Sequence, residues 1–225
     1  DLTQCRSVVR LTEAACCKFD ERLMKLDRNK NYEIDGQLQS WKYFNEDLEA
    51  VREFVALKDS IIARAKRKIS RSLASSNITN LRNAAAVGVH VRRGDKLHWS
   101  AVDAGVRVAP REFFIKAMRH FRKTIQGPIV FLVVTDDPVW CRSNLVGLPG
   151  VDHKEDALDE AAVDLGVLSL VDHSIITVGA FSWWAGFLAR GQVVYYGQFL
   201  DPESKLRSQF GDKMADYVLP GWTSM

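Results

Sequence analysis

Residues 86–96 read Ala-Val-Gly-Val-His-Val-Arg-Arg-Gly-Asp-Lys, and this stretch decides how the rest of the sequence is interpreted. Its first half is rich in valine, which is typical of a strand buried on both faces of a sheet. Its second half places polar side chains where that strand should end: His90, Arg92, Arg93, Asp95 and Lys96. Ligands bind beyond the carboxyl ends of strands in open α/β sheets, and guanidinium groups match phosphate oxygens. The alternative at this point is a solvated charged turn.

Strands and helices alternate after a polar boundary segment at residues 75–83. The pattern predicts strands at 86–91, 129–134, 174–178 and 193–196, and helices from Pro110, from Pro138, and at 156–171 and 181–190. Residues 151–153 are interpreted as a connection, and Gly191 as a helix C-terminal cap. Strands that alternate with helices require right-handed crossovers, so the sequence predicts a Rossmann-like, doubly wound parallel sheet.

Polar residues also follow the other predicted strands. Asp136 and Asp137 end the second strand, and Ser182 opens the helix beyond the strand at 174–178. A parallel sheet brings these positions to the same edge as the arginines. Arginines and a helix N-terminus can hold a pyrophosphate, and carboxylates can accept hydrogen bonds from a base or ribose. The sequence therefore predicts a nucleotide diphosphate site, although Asp136 and Asp137 fit a helix cap and turn equally well.

The first third of the chain has a different pattern. Residues 1–44 show no clear period, and we predict one or two short helices with loops. Apolar residues recur every three to four positions over residues 46–73, which predicts a long amphipathic helix with at most one break. The basic residues on its later half are interpreted as solvated, because no aromatic residues interleave with them to stack on bases. We predict a mainly helical segment over residues 1–83 and a Rossmann-like domain over residues 84–225.

Composition narrows the possible classes of protein. The chain has 225 residues, of which 47% are hydrophobic, so it can bury a substantial core. A net charge of +3 is too small to indicate nucleic-acid binding. No apolar run reaches the roughly 18 residues that span a bilayer. The sequon Asn77-Ile78-Thr79 favours the secretory pathway. The four cysteines lack a Cys-x-x-Cys metal spacing: Cys5, Cys16, Cys17 and Cys141.

Several other motifs carry weaker functional interpretations. Asp27, Asn29 and Asn31 resemble an EF-hand loop, but Tyr32 and Leu38 stand where that loop requires glycine and glutamate. The tripeptide at residues 93–95 would serve adhesion only on a protruding loop, whereas a strand end predicts a cleft. Trp183 and Trp184 are predicted to pack in the core rather than to stack on a sugar. No metal-ligand spacing joins the histidines His90, His98, His153 and His173.

Four segments resemble the α-1,2-fucosyltransferases and their relatives. His90-Val-Arg92-Arg93-Gly94-Asp95 is similar to the family's His-x-Arg-Arg-Gly-Asp signature, and residues 173–188 resemble its later motif, with Phe-Ser-Trp-Trp at 181–184. Residues 133–140 (Val-Val-Thr-Asp-Asp-Pro-Val-Trp) and 36–44 (Gly-Gln-Leu-Gln-Ser-Trp-Lys-Tyr-Phe) are similar in kind and position. The segments stand in the family's order, and the resemblance spans roughly residues 36–222.

This resemblance implies an inverting, metal-independent enzyme that moves fucose from GDP-fucose to the 2-hydroxyl of a terminal galactose on a glycan. Arg92 would bind the donor pyrophosphate and His90 would orient the nucleotide. Asp95 would brace the loop or contact the donor, and it is the candidate general base. The implied catalytic residues are thus Asp95 and Arg92, and the implied donor-binding residues are His90, Arg92, Arg93, Asp136, Asp137 and Ser182. Without a metal, the arginines would supply the positive charge that the GDP leaving group needs.

The sequence also departs from the family. A glycine-rich Gly-x-Gly-Asn-Gln-like motif is absent, and of the two Rossmann-like halves of a GT-B transferase only the second is recognisable. Residues 84–225 would then be the GDP-sugar-binding half, and residues 1–83 a remnant of the acceptor-side half. The implied partners are GDP-fucose and a galactose-terminated glycan, with no nucleic acid, cofactor or metal. The family's location implies the Golgi lumen, with a type II membrane anchor outside this sequence. The alternative is a catalytically inactive homologue that binds a GDP-sugar or a glycan.

Overall fold

The computed structural model describes residues 7–75, 84–147, 151–152 and 161–225. Three features of the sequence lie outside these residues: Cys5, the Asn77 sequon and His153. The elements in chain order are β1 (Val8–Thr12), β2 (Asn31–Asp35), α1 (Leu48–Phe54), α2 (Asp59–Ser75), β3 (Ala85–Val91), α3 (Trp99–Asp103), α4 (Arg111–Thr124), β4 (Ile129–Thr135), α5 (Pro138–Asn144), β5 (Val151–Asp152), α6 (Ala161–Ser169), β6 (His173–Ile176), α7 (Ala180–Leu188), β7 (Val193–Tyr195), α8 (Lys205–Ser208) and β8 (Thr223–Ser224).

The chain divides into two compact units. Unit 1 comprises Asp1–Phe54 and Glu203–Pro220, and unit 2 comprises Val55–Pro202 and Gly221–Met225. These units divide the chain at other positions than the domain boundary predicted after residue 83. The prediction that residues 1–83 serve the acceptor side and residues 84–225 bind the donor concerns function, and it stays a prediction.

Unit 1 corrects the helical interpretation of residues 1–44. In the described part of this segment, β1 and β2 form a parallel two-stranded sheet, with Val8 opposite Asn31. Most residues of both strands are exposed, although β2 (Asn-Tyr-Glu-Ile-Asp) does alternate polar and apolar residues as a strand with one buried face would. The short 3-10 helices Glu21–Met24 and Trp41–Phe44 are the only helical elements described before residue 45.

Unit 2 is built around a six-stranded sheet in which all neighbouring strands are parallel. Its strand order is β5-β4-β3-β6-β7-β8, and β3 at the centre pairs with both β4 and β6. This is the Rossmann order, whose direction reverses between β3 and β6. The predicted Rossmann-like α/β class is confirmed, and the switch point lies where the arginines leave β3.

The helices of unit 2 bury the faces that the sequence predicts. In α4 the predicted apolar face is entirely buried: Phe113, Phe114, Ala117, Met118 and Phe121. The long helix predicted over residues 46–73 is present as α1 and α2, with the break at residues 55–58. The helix α2 packs on α6, where a Cβ on Gly166 would lie 3.0 Å from that of Ala65. This close approach explains why α2 belongs to the same compact unit as the sheet.

The structure differs from the predicted secondary structure in three details. Residues 151–152 form the edge strand β5 rather than a connection, and β8 was not predicted. The cap of α7 is Ala189, and the left-handed residue after it is Arg190, with φ 60°, rather than Gly191. Gly191 is required for space, because a Cβ there would lie 1.7 Å from the Asp172 carbonyl oxygen.

The three described cysteines are in two different states. Cys16 and Cys17 are joined as a disulfide between neighbouring residues, and Cys141 is a buried free thiol. Burial raises the pKa of the Cys141 thiol to about 11, so this group is a protonated core residue at neutral pH.

Within the described ranges, no helix is both long and apolar enough to cross a membrane.

Candidate functional site

The backbone that follows β3 is held from both sides at the switch point. The amide of Arg92 donates to Thr177 Oγ1 at 3.2 Å, and Thr177 directly follows β6. The amide of Arg93 donates to Asp136 Oδ1 at 2.8 Å, and Asp136 directly follows β4. The neighbouring strands therefore fix the point at which both arginine side chains leave the sheet.

Arg92 is the more accessible of the two arginines. Its guanidinium lies 3.1 Å from Asp136 Oδ2 and 2.9 Å from Asp95 Oδ1, and 37% of its side chain is exposed. Asp95 also accepts from Lys96 Nζ at 2.9 Å. Ion pairs at this exposure contribute little to folding stability. The guanidinium is thus positioned by carboxylates that an anionic ligand can displace.

Arg93 is held more tightly. Its Nε lies 3.2 Å from Asp137 Oδ2, and its guanidinium stacks 4.1 Å from the centre of the Trp140 ring. Only 13% of the Arg93 side chain is exposed. A Cβ on Gly94 would lie 2.8 Å from Asp136 Oδ2, so the loop packs closely against the end of β4. The tripeptide at residues 93–95 is therefore not displayed as an adhesion motif requires.

Asp137 has two structural roles. Its Oδ1 accepts from the Trp140 amide at 3.0 Å and caps α5, while its Oδ2 pairs with Arg93. The helix-cap interpretation of Asp137 is confirmed. We refer to these five residues as the charged cluster: Arg92, Arg93, Asp95, Asp136 and Asp137.

A second group lies on the β6 side of β3, and we refer to His90, Thr177 and Ser182 as the buried cluster. The His90 Nδ1 lies 2.6 Å from Ser182 Oγ, and the two residues are only 4% and 1% exposed. Ser182 Oγ also accepts from the Thr177 amide at 3.3 Å, and Thr177 Oγ1 donates to the His90 carbonyl oxygen at 3.2 Å. These contacts join β3, β6 and α7 through uncharged groups.

The electrostatics of the two clusters differ. Burial, and secondarily the charge of Arg92, lower the pKa of His90 to about 3, so its imidazole is neutral at physiological pH. Partial burial raises the pKa of Asp95, but the hydrogen bond from Lys96 and the charge of Arg92 outweigh burial, and the pKa is lowered. A general base works best with a pKa near the operating pH. With its lowered pKa, the Asp95 carboxylate is better suited to pairing with Arg92 than to accepting a proton.

The N-terminus of α7 meets the same edge of the sheet. Gly179 caps this helix with φ 96°, a conformation that favours glycine, and a Cβ there would meet no atom within 4 Å. A side chain at position 179 would thus point into open space at the start of α7. Ser182 itself does not reach that space, because its hydroxyl is bound inside the buried cluster.

The sequence analysis found most of these residues but missed two. The structure brings Arg92, Asp95 and Asp136 into direct contact and pairs Arg93 with Asp137. Two residues were not among the predicted site residues: Thr177 and Trp140. Thr177 lies inside the strand predicted at 174–178, whereas β6 ends at Ile176 and leaves Thr177 directly after the strand. Trp140 carries no signal for its stacking on Arg93, because that contact depends on where α5 is placed.

Across residues 7–75, 84–147 and 161–225, no group of three or more His, Cys, Asp or Glu side chains lies close enough to hold a metal ion.

The strand order defines an α/β protein of the Rossmann type, with two arginines at the switch point of its sheet. The family model described as "Glycosyl transferase family 11" matches residues 24–225. The chain belongs to glycosyl transferase family 11, and the resemblance read from the sequence is confirmed.

Curated relatives agree with this assignment. The galactoside alpha-(1,2)-fucosyltransferase 1 of Bos taurus is 32% identical over 196 residues, covering 83% of this chain and 51% of the relative. The galactoside alpha-(1,2)-fucosyltransferase 2 of Hylobates lar is 29% identical over 199 residues, covering 85% of this chain and 54% of the relative. The chain therefore spans about half the length of the curated relatives it matches.

Solved structures share the fold. Fucosyltransferase NodZ from Bradyrhizobium matches with a TM-score of 0.52 and 17% identity, covering 78% of this chain and 59% of NodZ. A structure of NodZ alpha-1,6-fucosyltransferase soaked with GDP-fucose matches with a TM-score of 0.51 and 19% identity, with the same coverage. These matches confirm the predicted fold class.

Proposed function

We propose that this chain carries the donor site of a fucosyltransferase that moves fucose from GDP-fucose to the 2-hydroxyl of a terminal galactose on a glycan. Family membership and the names of the relatives support the reaction class. The observation that carries the proposal is Arg92, a partly exposed guanidinium at the switch point of a Rossmann-like sheet. Nucleotides bind at this position in open α/β sheets.

Donor binding would exchange the partners of Arg92. A diphosphate would accept from the guanidinium in place of Asp95 or Asp136, because phosphate oxygens match the guanidinium fork. The open space at the N-terminus of α7 would receive a second phosphate oxygen. Arg93, Asp136 and Asp137 would hold the loop in place, and the buried cluster would fix the backbone beneath it. In this proposal His90 and Ser182 are positioning residues.

The proposed chemistry is a single displacement. The acceptor 2-hydroxyl oxygen attacks C1 of fucose from the face opposite GDP, the bond from C1 to the β-phosphate oxygen breaks, and GDP leaves with the electron pair. The hydroxyl proton passes to a general base, and the configuration at C1 inverts. Arg92 stabilises the charge that develops on the leaving phosphate, which is the contribution a metal would otherwise make. We propose that the reaction needs no metal.

The same proposal assigns the donor and the acceptor to different parts of the chain. Residues 84–225 would form the GDP-sugar-binding part, and residues 1–83 would belong to the acceptor side. By analogy with the family, the working location would be the Golgi lumen.

Calorimetric titration of GDP and GDP-fucose tests the donor site directly. We expect the wild-type chain to bind both, and Arg92→Ala to lose binding. The matched control is Arg119→Ala, which removes an exposed arginine from α4. If the folded wild-type chain binds neither compound, or if Arg92→Ala binds as wild type does, the donor-site proposal is wrong.

A transfer assay then tests the reaction. Radiolabelled GDP-fucose is incubated with a β-galactoside, and the position of the new linkage is determined by NMR. Label on the galactose 2-hydroxyl supports the proposed reaction. Binding without transfer would indicate the alternative, a GDP-sugar-binding homologue that does not turn the donor over.

A further inference from the structure

A small exposed apolar patch begins directly after the charged cluster. It consists of Leu97, Trp99 and Val102, and we refer to it as the Trp99 patch. The Trp99 residue is 72% exposed, and the other two are also exposed. Trp99 is the first residue of α3 and Val102 lies three positions later, so both side chains share one face of the helix. Contiguous apolar surface of this kind marks binding sites more often than scattered apolar residues do.

The loop that carries the patch is tied to the sheet at both ends. It starts at Arg92, whose amide is bound by Thr177. At its far end, the Asp201 amide donates to the Gly105 carbonyl at 2.7 Å, and Arg107 pairs with Asp201 at 2.7 Å. Asp201 lies in the segment that follows β7. Because β6 stands between β3 and β7 in the sheet, the loop crosses the carboxyl edge beside the donor site.

Local contacts set the position of the indole within this loop. The His98 side chain caps α3, with its Nδ1 2.9 Å from Ser100 Oγ, and its ring lies 5.6 Å from that of Trp99. Lys96, which precedes the patch, reaches back to Asp95, which in turn pairs with Arg92. The patch thus begins one residue after Lys96, which ion pairs link to the charged cluster.

We propose that the Trp99 patch binds a sugar ring of the acceptor glycan, with the C–H face of the pyranose stacked on the indole. This inference rests on the proposed function, because the acceptor must come close to the donor. A pyranose has one apolar face and a rim of hydroxyl groups, and the patch has one exposed aromatic ring among polar neighbours. Such a surface is too small for a stable protein interface, which buries about 800 Å² on each partner.

The other tryptophan pair does not compete for this role. Trp183 is buried and packs against Trp184, Phe187 and Trp222. All six tryptophans lie within the described residues, and Trp99 is the only one that is mostly exposed. This difference supplies a measurement that does not depend on catalysis.

Quenching of tryptophan fluorescence by acrylamide reports on Trp99. We expect lactose, a β-galactoside, to protect the wild-type chain in the presence of GDP, and mannitol at the same concentration to give no protection because it has no ring. A Trp99→Phe variant keeps an aromatic face but removes the reporter, so the protection should disappear from the fluorescence. Equal quenching with and without lactose would overturn the inference.

Kinetics give the second measurement. Trp99→Ala should raise the acceptor KM roughly tenfold and leave GDP affinity unchanged, and Trp99→Phe should restore most of the loss. The control is Leu170→Ala, an exposed apolar residue just before the amino end of β6, at the opposite edge of the sheet. An unchanged acceptor KM in Trp99→Ala, with normal GDP binding, overturns this inference and leaves the proposed function intact. If wild type fails to bind GDP, the proposed function fails, and lactose protection measured without GDP decides the inference alone.

Discussion

The charged cluster and the buried cluster lie on opposite sides of β3, and they differ in exposure and in how completely their polar atoms are bound. Every polar atom named in the buried cluster is bound by another part of the chain, and His90 and Ser182 are almost fully enclosed. In the charged cluster Arg92 is partly exposed and is shared between two carboxylates. The difference indicates that the buried cluster stabilises the fold, whereas Arg92 on the other side of β3 has partly exposed partners, as the proposed donor site requires.

The largest effect is expected for Arg92→Ala. We expect GDP affinity to fall about a hundredfold, or about 3 kcal/mol, because the bound diphosphate would lose a charge-assisted partner. The free energy of unfolding should change by less than about 1 kcal/mol, because the ion pairs of Arg92 are partly exposed. Calorimetry and urea unfolding of the same preparation measure both quantities. A loss of stability as large as the loss of binding would abolish the contrast between the clusters.

The second effect concerns pH and belongs to the buried cluster. The ordinary pKa of histidine is 6.5, and that of His90 in the folded chain is about 3. Between these values the unfolded chain binds a proton that the folded chain does not, so acidification favours unfolding. From pH 7 to pH 5 we expect His90 to lower the free energy of unfolding by about 2 kcal/mol. Below about pH 3 the loss stops growing.

The control for this pH dependence is His90→Gln, which removes the titrating group. Urea unfolding at pH 7, 6 and 5 should show a shallower slope for the variant. Part of the slope should remain, because burial also lowers the pKa of His173. Identical slopes in the two proteins would show that His90 is not the group that senses pH.

Ser182→Ala is expected to have the third-largest effect. It leaves His90 Nδ1 and the Thr177 amide without their shared partner, and a buried group left unpaired costs about 1.5 kcal/mol. GDP affinity should stay within about threefold of wild type. Ser174→Ala is the matched control: this serine is fully buried, and its hydroxyl has no hydrogen-bond partner among the described residues. If both variants lose the same stability, the network around His90 is not what matters.

The smallest effect is expected for Asp137→Ala, which removes the cap of α5. Loss of an N-cap costs about 1 kcal/mol, and urea unfolding would measure it. Asp137→Asn should recover most of that loss, because asparagine caps as well as aspartate does. If Asn fails to restore stability, the pairing with Arg93 contributes more than the cap.

The sequence predicts the central strands and the longer helices of unit 2 well, but it predicts the short edge strands and the sheet of unit 1 poorly. The strands β3 and β4 are continuous apolar runs, and the face of α4 repeats with the helical period, so both signals are strong. By contrast, β5 and β8 have two residues each, too few for any period. The strands β1 and β2 have five residues each and are mostly exposed, so their few apolar residues give only a weak strand signal.

The candidate site shows the same limit. The predicted parallel topology implies that polar residues directly after neighbouring strands meet at one edge of the sheet. Arg92 and Asp136 do form an ion pair there. Which arginine would be enclosed could not be predicted, because that depends on where Trp140 lies. Ser182 was expected to face a phosphate, whereas its contact with His90 turns it inward. Burial depends on packing between elements, which local sequence does not record.

The path of the chain between the two compact units has a consequence for how this protein is made. The chain leaves unit 1 after Phe54 and re-enters it only at Glu203. The Ser40 hydroxyl donates to the Asp216 carbonyl, 176 residues later, and the Trp41 indole donates to the Ala215 carbonyl. Domains usually fold in order as they emerge from the ribosome. Unit 1 therefore cannot be completed until the segment Glu203–Pro220, near the end of the described residues, has been synthesised.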